Sequence, residues 1–265
     1  FFEMQLDKQG EYCDGAIRCF VAENKDKAGT AVAEYIVSKI NEKQNKNDKT
    51  FVLGLATGST PIPIYKELAR LFNEKKILFS NVITINLDEY YPMQEDDINS
   101  YHYFMNENLF KFVDFKKENN FIPSGTIPSS DIQSHCEEYE KRINTLGIDI
   151  QLLGIGRSGH IGFNEPGSTI DTETRVVPLH PKTRSDAAEA FNGEENVPQL
   201  AITMGISSIM KAKECILCAW GTGKQDILQK SLTSEPSSDI PATFLQKHKN
   251  VIVVTDKDAA PSFNK

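Results

Sequence analysis

Ile150-Gln151-Leu152-Leu153-Gly154-Ile155-Gly156-Arg157-Ser158-Gly159-His160-Ile161-Gly162-Phe163-Asn164-Glu165-Pro166-Gly167 starts as an apolar run and ends as a glycine-rich turn. The run has the length and composition of a buried strand. Gly154, Gly156 and Gly159 fall within six residues and add no core volume. They fit a turn that needs φ > 0, or one that brings backbone against a bound molecule. The turn presents one histidine and, five residues later, one glutamate. A histidine at a strand's end, beside a loop able to cradle an oxyanion, reads as a site for proton transfer on a small anion.

On either side of this stretch, apolar strands alternate with helical patterns. Strands are expected at Ala16–Ala22, Phe51–Leu55, Val82–Asn86, Ile150–Gly154, Val176–Leu179, Ile216–Trp220 and Val251–Thr255. Helices are expected at Lys25–Lys43, where Ala28, Val32, Ile36 and Ile40 keep helical spacing, and at Ile62–Asn73, with Pro61 or Pro63 in its first turn. Further helices are read at Asn99–Phe112, Asp131–Leu146 (Asp131 as N-cap), Ser185–Phe191, Lys224–Leu232 and Pro241–Lys247, and Asn41–Lys49 as a solvated loop. This alternation predicts an α/β fold, a mostly parallel central sheet with helices on both faces and a site at the carboxyl ends of the strands. No repeat or Pro/Gly/Ser-rich linker divides the chain, so one domain over residues 1–265 is expected.

The net charge of −8 excludes a broadly basic nucleic-acid surface, and no apolar run reaches the roughly 18 residues of a membrane span. Phe1-Phe2-Glu3-Met4-Gln5 lacks the layout of a signal peptide, so a cytoplasmic location is expected. Five cysteines are irregularly spaced. Cys215 and Cys218 fall three apart within an expected strand, hence on opposite faces, and read as core residues rather than a redox or metal pair.

The end-of-strand rule singles out two more loops. Ala56-Thr57-Gly58-Ser59-Thr60-Pro61 combines backbone N–H groups, hydroxyls and a helix N-terminus, which suits an anion. It lacks the Gly-Lys-Ser/Thr of a nucleotide loop, and an ordinary strand–helix turn is the competing reading. Asn86-Leu87-Asp88-Glu89-Tyr90-Tyr91 offers Asp88 as a base for a carbon-bound proton, or as a plain capping carboxylate. Lys224, after Gly221-Thr222-Gly223 and in the first turn of a helix, is disfavoured by the dipole and so reads as a phosphate ligand. Arg184 is a second candidate cation, with a surface salt bridge as its alternative.

In these blocks, together with Thr203-Met204-Gly205, the chain resembles the glucosamine-6-phosphate deaminase (isomerase) family, from about Ala16 onward. Phe163-Asn164-Glu165-Pro166 and Asp88-Glu89-Tyr90 weigh against the related 6-phosphogluconolactonases. The resemblance implies cofactor-free and metal-free conversion of glucosamine 6-phosphate to fructose 6-phosphate and ammonia. It makes Asp88 the C2/C1 proton-transfer base, His160 the ring-opening acid/base and Glu165 its orienting carboxylate. Thr57, Gly58, Ser59, Thr60 and Lys224 would hold phosphate, and Ile155 and Gly156 would line the sugar. The implied partner is a small phosphosugar, with no nucleic acid or membrane; a homo-oligomer, as in parts of the family, stays open.

Two positions depart from the family pattern. Ser158 stands where many members carry a second carboxylate near the histidine. A phosphate-contacting arginine falls at or beside Glu189, with Arg184 as its candidate replacement. The alternatives these departures leave are a phosphosugar sensor on the same fold and an isomerase or lactonase of altered substrate.

Overall fold

The computed structural model describes residues 11–12, 17–46 and 50–260. Ala16, Cys13, residues 47–49 of the expected loop and the N-terminal Phe1–Gln5 lie outside them. The elements run β1 (Glu11–Tyr12), β2 (Ile17–Ala22), α1 (Lys25–Asn45), β3 (Phe51–Leu55), α2 (Ile62–Asn73), β4 (Val82–Asn86) and β5 (Asp88–Tyr91). They continue through α3 (Tyr101–Asn108), β6 (Asn120–Phe121), α4 (Ile132–Leu146), β7 (Ile150–Gly154), β8 (Arg175–Pro178) and α5 (Pro181–Ala187). Last come β9 (Leu200–Thr203), α6 (Ile206–Met210), β10 (Glu214–Ala219), α7 (Gln225–Thr233) and β11 (Val251–Asp256).

Eight strands form the central sheet in the order β1-β2-β11-β10-β7-β3-β4-β6. Every pairing is parallel except β1 with β2. The inner strands β3, β10 and β11 are buried at every residue, as expected of a sheet covered on both faces. Alternate side chains feed two separate cores. Leu53, Leu152, Ile216 and Ile252 pack with the apolar faces of α1 and α2. Leu153, Leu217 and Val253 pack with Tyr139 and Ile143 of α4, Ile206 and Ile209 of α6, and Leu228 of α7. Cys215 belongs to the second core and Cys218 to the first, so the pair faces opposite sides of the sheet. Burial pushes both thiols above their ordinary value, which keeps them protonated and unreactive.

The topology opens the site. From β3 the chain crosses to β4 on one side, and from β7 to β10 on the other. Between them β3 and β7 share only two residue pairs, Leu53 with Ile150 and Gly54 with Gln151. The pairing stops short of the carboxyl ends of both strands, at the switch point where a crevice forms.

A second sheet of three antiparallel strands, in the order β5-β9-β8, was not anticipated. The expected strand at Val176–Leu179 is β8, which runs antiparallel in this small sheet rather than parallel in the large one. Pro178 is tolerated because β8 is an edge strand. Leu87 joins the two sheets: its N–H donates to Leu55 O at 3.1 Å, and its carbonyl accepts from Met204 N at 2.7 Å. Asp88, the next residue, starts β5 opposite Thr203.

Several element ends also differ from expectation. α1 continues to Asn45, into the expected loop. The Asn99–Phe112 helix divides into α3 and a 3-10 turn at Phe110–Phe112, because Leu109 leaves helical geometry at φ −143°. Asp131 occupies the N-cap position of α4 without a capping bond; its carboxylate accepts from Ser130 Oγ instead. α5 starts at Pro181 because the His180 side chain caps it, and the Pro241–Lys247 segment is a 3-10 helix. Among the described residues no helix is long and apolar enough to cross a membrane.

Candidate active site

The loops that leave β3, β4, β7 and β10 surround a cavity of about 510 Å³, roofed by α5. Thr57, Gly58, Ser59, Thr60, Asp88, Ile155, Gly156, His160 and Lys224 all line it, though they are spread over most of the chain. Among the described residues no group of three or more His, Cys, Asp or Glu side chains is arranged to hold a metal.

The glycine-rich turn closes on itself. Gly156 N donates to His160 O and Gly159 N to Gly156 O, both at 3.0 Å. Gly159 takes φ +80°, a conformation that disfavours other residues. Gly156 is needed for close approach: a Cβ there would lie 2.1 Å from His160 Cε1 and Nε2. Asn164 fastens the turn to the end of β9, donating from Nδ2 to Met204 O at 2.7 Å and to Ile161 O at 2.9 Å, while its Oδ1 accepts from Arg175.

His160 Nδ1 lies 3.0 Å from Glu165 Oε2 and 2.9 Å from Ser158 Oγ. The Ser158 hydroxyl donates to the same Glu165 oxygen at 3.1 Å, and the Thr183 hydroxyl donates to the other. Burial alone would raise the Glu165 carboxyl. The His160 bond and charge, with the Thr183 and Ser158 hydroxyls, outweigh it and hold the carboxyl below the ordinary glutamate value. Neither Glu165 nor Ser158 lines the cavity; both act on the histidine from behind. With Nδ1 engaged, Nε2 is the nitrogen on the Gly156 side of the ring.

Asp88 is buried at 5% exposure. Burial, and secondarily the charge of Glu89, raise its carboxyl well above the ordinary aspartate value. It stands close to Gly162, where a Cβ would lie 3.3 Å from Asp88 Oδ2. Alternation along β5 sends Glu89 to the other face. There Glu89 receives the N–H groups of Tyr101 and His102 at 2.9–3.1 Å, anchoring its charge at the N-terminus of α3. This seats Tyr101, whose ring packs against Tyr90 at 5.0 Å and whose hydroxyl comes close to Thr57. Burial first, and the neighbouring Tyr90 and Asp88 next, push the Tyr101 phenol well above its ordinary value, so it remains a neutral donor.

On the opposite wall Lys224 Nζ donates to Ile155 O at 2.7 Å. Burial, then the nearby positive charge of Arg157, hold its ammonium below the ordinary lysine value. Trp220 Nε1 donates to Thr60 O at 2.8 Å and steadies the hydroxyl loop. Arg184 is not among the lining residues: because α5 begins early, its Nη2 turns to the Glu194 carbonyl at 2.8 Å. Glu189 is exposed beyond the end of α5 and also stands outside the lining. Arg157 and Asp186 do line the cavity, as a salt bridge, along with Thr183, Tyr90, Tyr101 and Trp220. Sequence reasoning missed these six. Arg157 stood inside the opening stretch and Trp220 is the single tryptophan beside Gly221, so both left a signal; the Tyr101 contact spans 44 residues and left none.

A family model described as glucosamine-6-phosphate isomerases/6-phosphogluconolactonase matches residues 23–254. A glucosamine-6-phosphate deaminase of Thermoanaerobacter sp. (strain X514) is 43% identical over 92% of this chain and 94% of its own length. One from Clostridium perfringens (strain 13 / Type A) is 41% identical over 92% of this chain and 98% of its own. Among solved structures, a monomeric glucosamine-6-phosphate deaminase superposes with a TM-score of 0.86 at 40% identity, covering 91% of this chain and 98% of that one. A 6-phosphogluconolactonase from Thermotoga maritima shares the fold at a TM-score of 0.68 and 24% identity, over 91% and 99% of the two chains. With a family model spanning most of its length and relatives above 40% identity, the chain belongs to the glucosamine-6-phosphate isomerase/6-phosphogluconolactonase family.

Proposed function

We propose that this chain is a glucosamine-6-phosphate deaminase, converting glucosamine 6-phosphate to fructose 6-phosphate and ammonia. The observation that carries this reading is that two proton-transfer groups with different environments, Asp88 and the Glu165-backed His160, face one cavity. Ring opening moves a proton from the anomeric hydroxyl to the ring oxygen, work for a group that can both accept and donate a proton. His160 does this through Nε2, with Glu165 and Ser158 fixing the ring from Nδ1.

The open-chain sugar then holds a C2 proton next to an aldehyde. Asp88 takes that proton while O1 gains one, giving an enolamine, and returns it at C1 while the amine nitrogen gives one up, which leaves an imine at C2. Water adds at C2 and ammonia leaves, giving the ketone. A carboxylate stripped of water is a stronger base than a solvated one, and the environment of Asp88 supplies that stripping. Thr57–Thr60 and Lys224 receive the phosphate, with the N-terminus of α2 behind the loop. All these residues come from one chain, so the reading requires no second copy.

The test is to incubate the pure protein with glucosamine 6-phosphate and measure ammonia and fructose 6-phosphate together. Absence of both across about pH 5 to 9, the range over which a histidine changes charge, refutes the reading.

A further inference from the structure

We propose that Arg157 is the second phosphate-binding cation of this site and that, in the free protein, Asp186 occupies its guanidinium as an internal substitute for phosphate. The inference rests on the phosphosugar reading above and extends it to a residue and an exchange of partners.

The pair is a two-point fork: Arg157 Nε donates to one Asp186 oxygen at 3.1 Å and Nη2 to the other. A phosphate presents the same spacing of oxygens to a guanidinium, so one geometry serves both anions. Both side chains border the cavity that holds Thr57–Thr60 and Lys224. Arg157 stands near enough to Lys224 for its charge to act on that ammonium, so the two cations bear on the same part of the cavity. Arg157 and Asp186 are 56% and 38% exposed, and ion pairs of that exposure are weak. A phosphate monoester carries close to two charges at neutral pH, one more than the carboxylate it would displace. Without the exchange, Asp186 cancels Arg157, and Lys224 alone faces the dianion. Arg184, bound to the Glu194 carbonyl outside the lining, does not fill this role.

A tether and a clamp predict different signs, and that makes the proposal testable. If the pair only ties α5 to the glycine-rich turn, breaking it from either side does the same harm. If Arg157 grips phosphate and Asp186 competes for it, the two variants move in opposite directions. The protein and its Arg157→Gln, Arg157→Lys and Asp186→Asn variants are compared by calorimetric binding of inorganic phosphate and by KM for glucosamine 6-phosphate. Arg157→Gln is expected to weaken both by about tenfold or more, the scale of a lost charge-assisted hydrogen bond, with Arg157→Lys in between. Asp186→Asn is expected to tighten both about two- to fivefold, the scale of an exposed ion pair. Arg157→Gln without effect, Asp186→Asn equal to or weaker than wild type, or a wild type that binds no phosphate overturns the proposal. Failure of the deaminase reading is distinguishable: the wild type then makes no fructose 6-phosphate, while the phosphate comparison can still be read.

Discussion

Replacing Gly156 with alanine tests the geometry of the histidine turn with a single methyl group. The added Cβ would sit 2.1 Å from two atoms of the His160 ring and 2.5 Å from a third. Carbon contacts settle near 3.5–4.0 Å, so the ring must retreat by about 1.4 Å. It is held at Nδ1 by Glu165 at 3.0 Å and Ser158 at 2.9 Å, and a retreat of that size takes at least one contact beyond hydrogen-bonding range. A hydrogen bond to a charged group is worth ~1.5–3 kcal/mol, and misplacing a catalytic group by about 1 Å lowers rate by roughly 10²-fold.

The expected result for Gly156→Ala is therefore a kcat lower by about two orders of magnitude. A melting temperature within a few degrees of wild type is expected, because the clash falls at the cavity wall rather than in either core. Gly156 also borders the cavity, so steady-state kinetics are measured in a cycle with His160→Asn. If the methyl acts through the ring, the double variant is no slower than His160→Asn alone. Penalties that multiply, or a single variant within about threefold of wild type, would refute the reasoning.

Variants at Asp88, Glu140, Asp149 and Ser158 have equally definite expected outcomes. Asp88→Asn should abolish solvent-deuterium incorporation at C1 of the product while leaving inorganic phosphate binding intact, and retained incorporation removes Asp88 from its role. The same variant should melt higher near pH 7. Burial and Glu89 raise the Asp88 carboxyl, a penalty that begins above the unfolded value of about 3.9 and is complete above the folded value, so the gain vanishes near pH 4. Glu140 and Asp149 titrate the other way. Burial would raise each, but Ser208, Thr174 and Lys211 around Glu140, and Lys213, Lys43 and Val52 N around Asp149, outweigh it and lower both. Their stabilisation is full above the unfolded values of about 3.9–4.3 and is lost as pH falls through the folded ones. Glu140→Gln and Asp149→Asn should each lower the melting temperature at pH 7 and flatten its decline below about pH 4. Ser158→Ala, which removes a hydroxyl shared by His160 and Glu165, should lower kcat about tenfold, one hydrogen bond's worth, with KM held. An unchanged kcat would mean Glu165 orients the ring alone.

The large sheet was legible in the sequence because its strands are covered on both faces and read as unbroken apolar runs, as Phe51–Leu55 and residues 251–254 do. Most helix positions were legible for the same reason: one periodic face packs on that sheet. The small sheet was not. β5 reads Asp-Glu-Tyr-Tyr, with a carboxylate on each face and no apolar alternation; it is held by β9, more than a hundred residues away. The cavity-facing loops could be placed by the end-of-strand rule, since ligands of a parallel sheet sit beyond the carboxyl ends of its strands. Arg184 shows the limit of that rule. Its position beside the site could be read, but the direction of its side chain depended on α5 starting at Pro181 under a His180 cap, a choice made by one local hydrogen bond.

The two carboxylates of the site show how one cavity can hold opposed proton chemistries. Asp88 and Glu165 are both shielded from water, at 5% and 8% exposure, so burial alone would raise both. What separates them is the partners. Asp88 sits beside another carboxylate, Glu89, whose charge is fixed in place by the amides at the start of α3. Glu165 sits beside an imidazole and two hydroxyl donors. The first arrangement makes a carboxylate that gains from taking a proton; the second makes one that gains from staying charged and orienting its neighbour. The neighbours thus set the two carboxylates apart. Glu89→Gln, which removes the fixed negative charge but can keep the contact with the α3 amides, should lower the pH above which Asp88 acts as base, read as a downward shift of the acidic limb of kcat. A limb that stays in place would mean burial alone sets Asp88, and that Glu89 serves only to anchor α3.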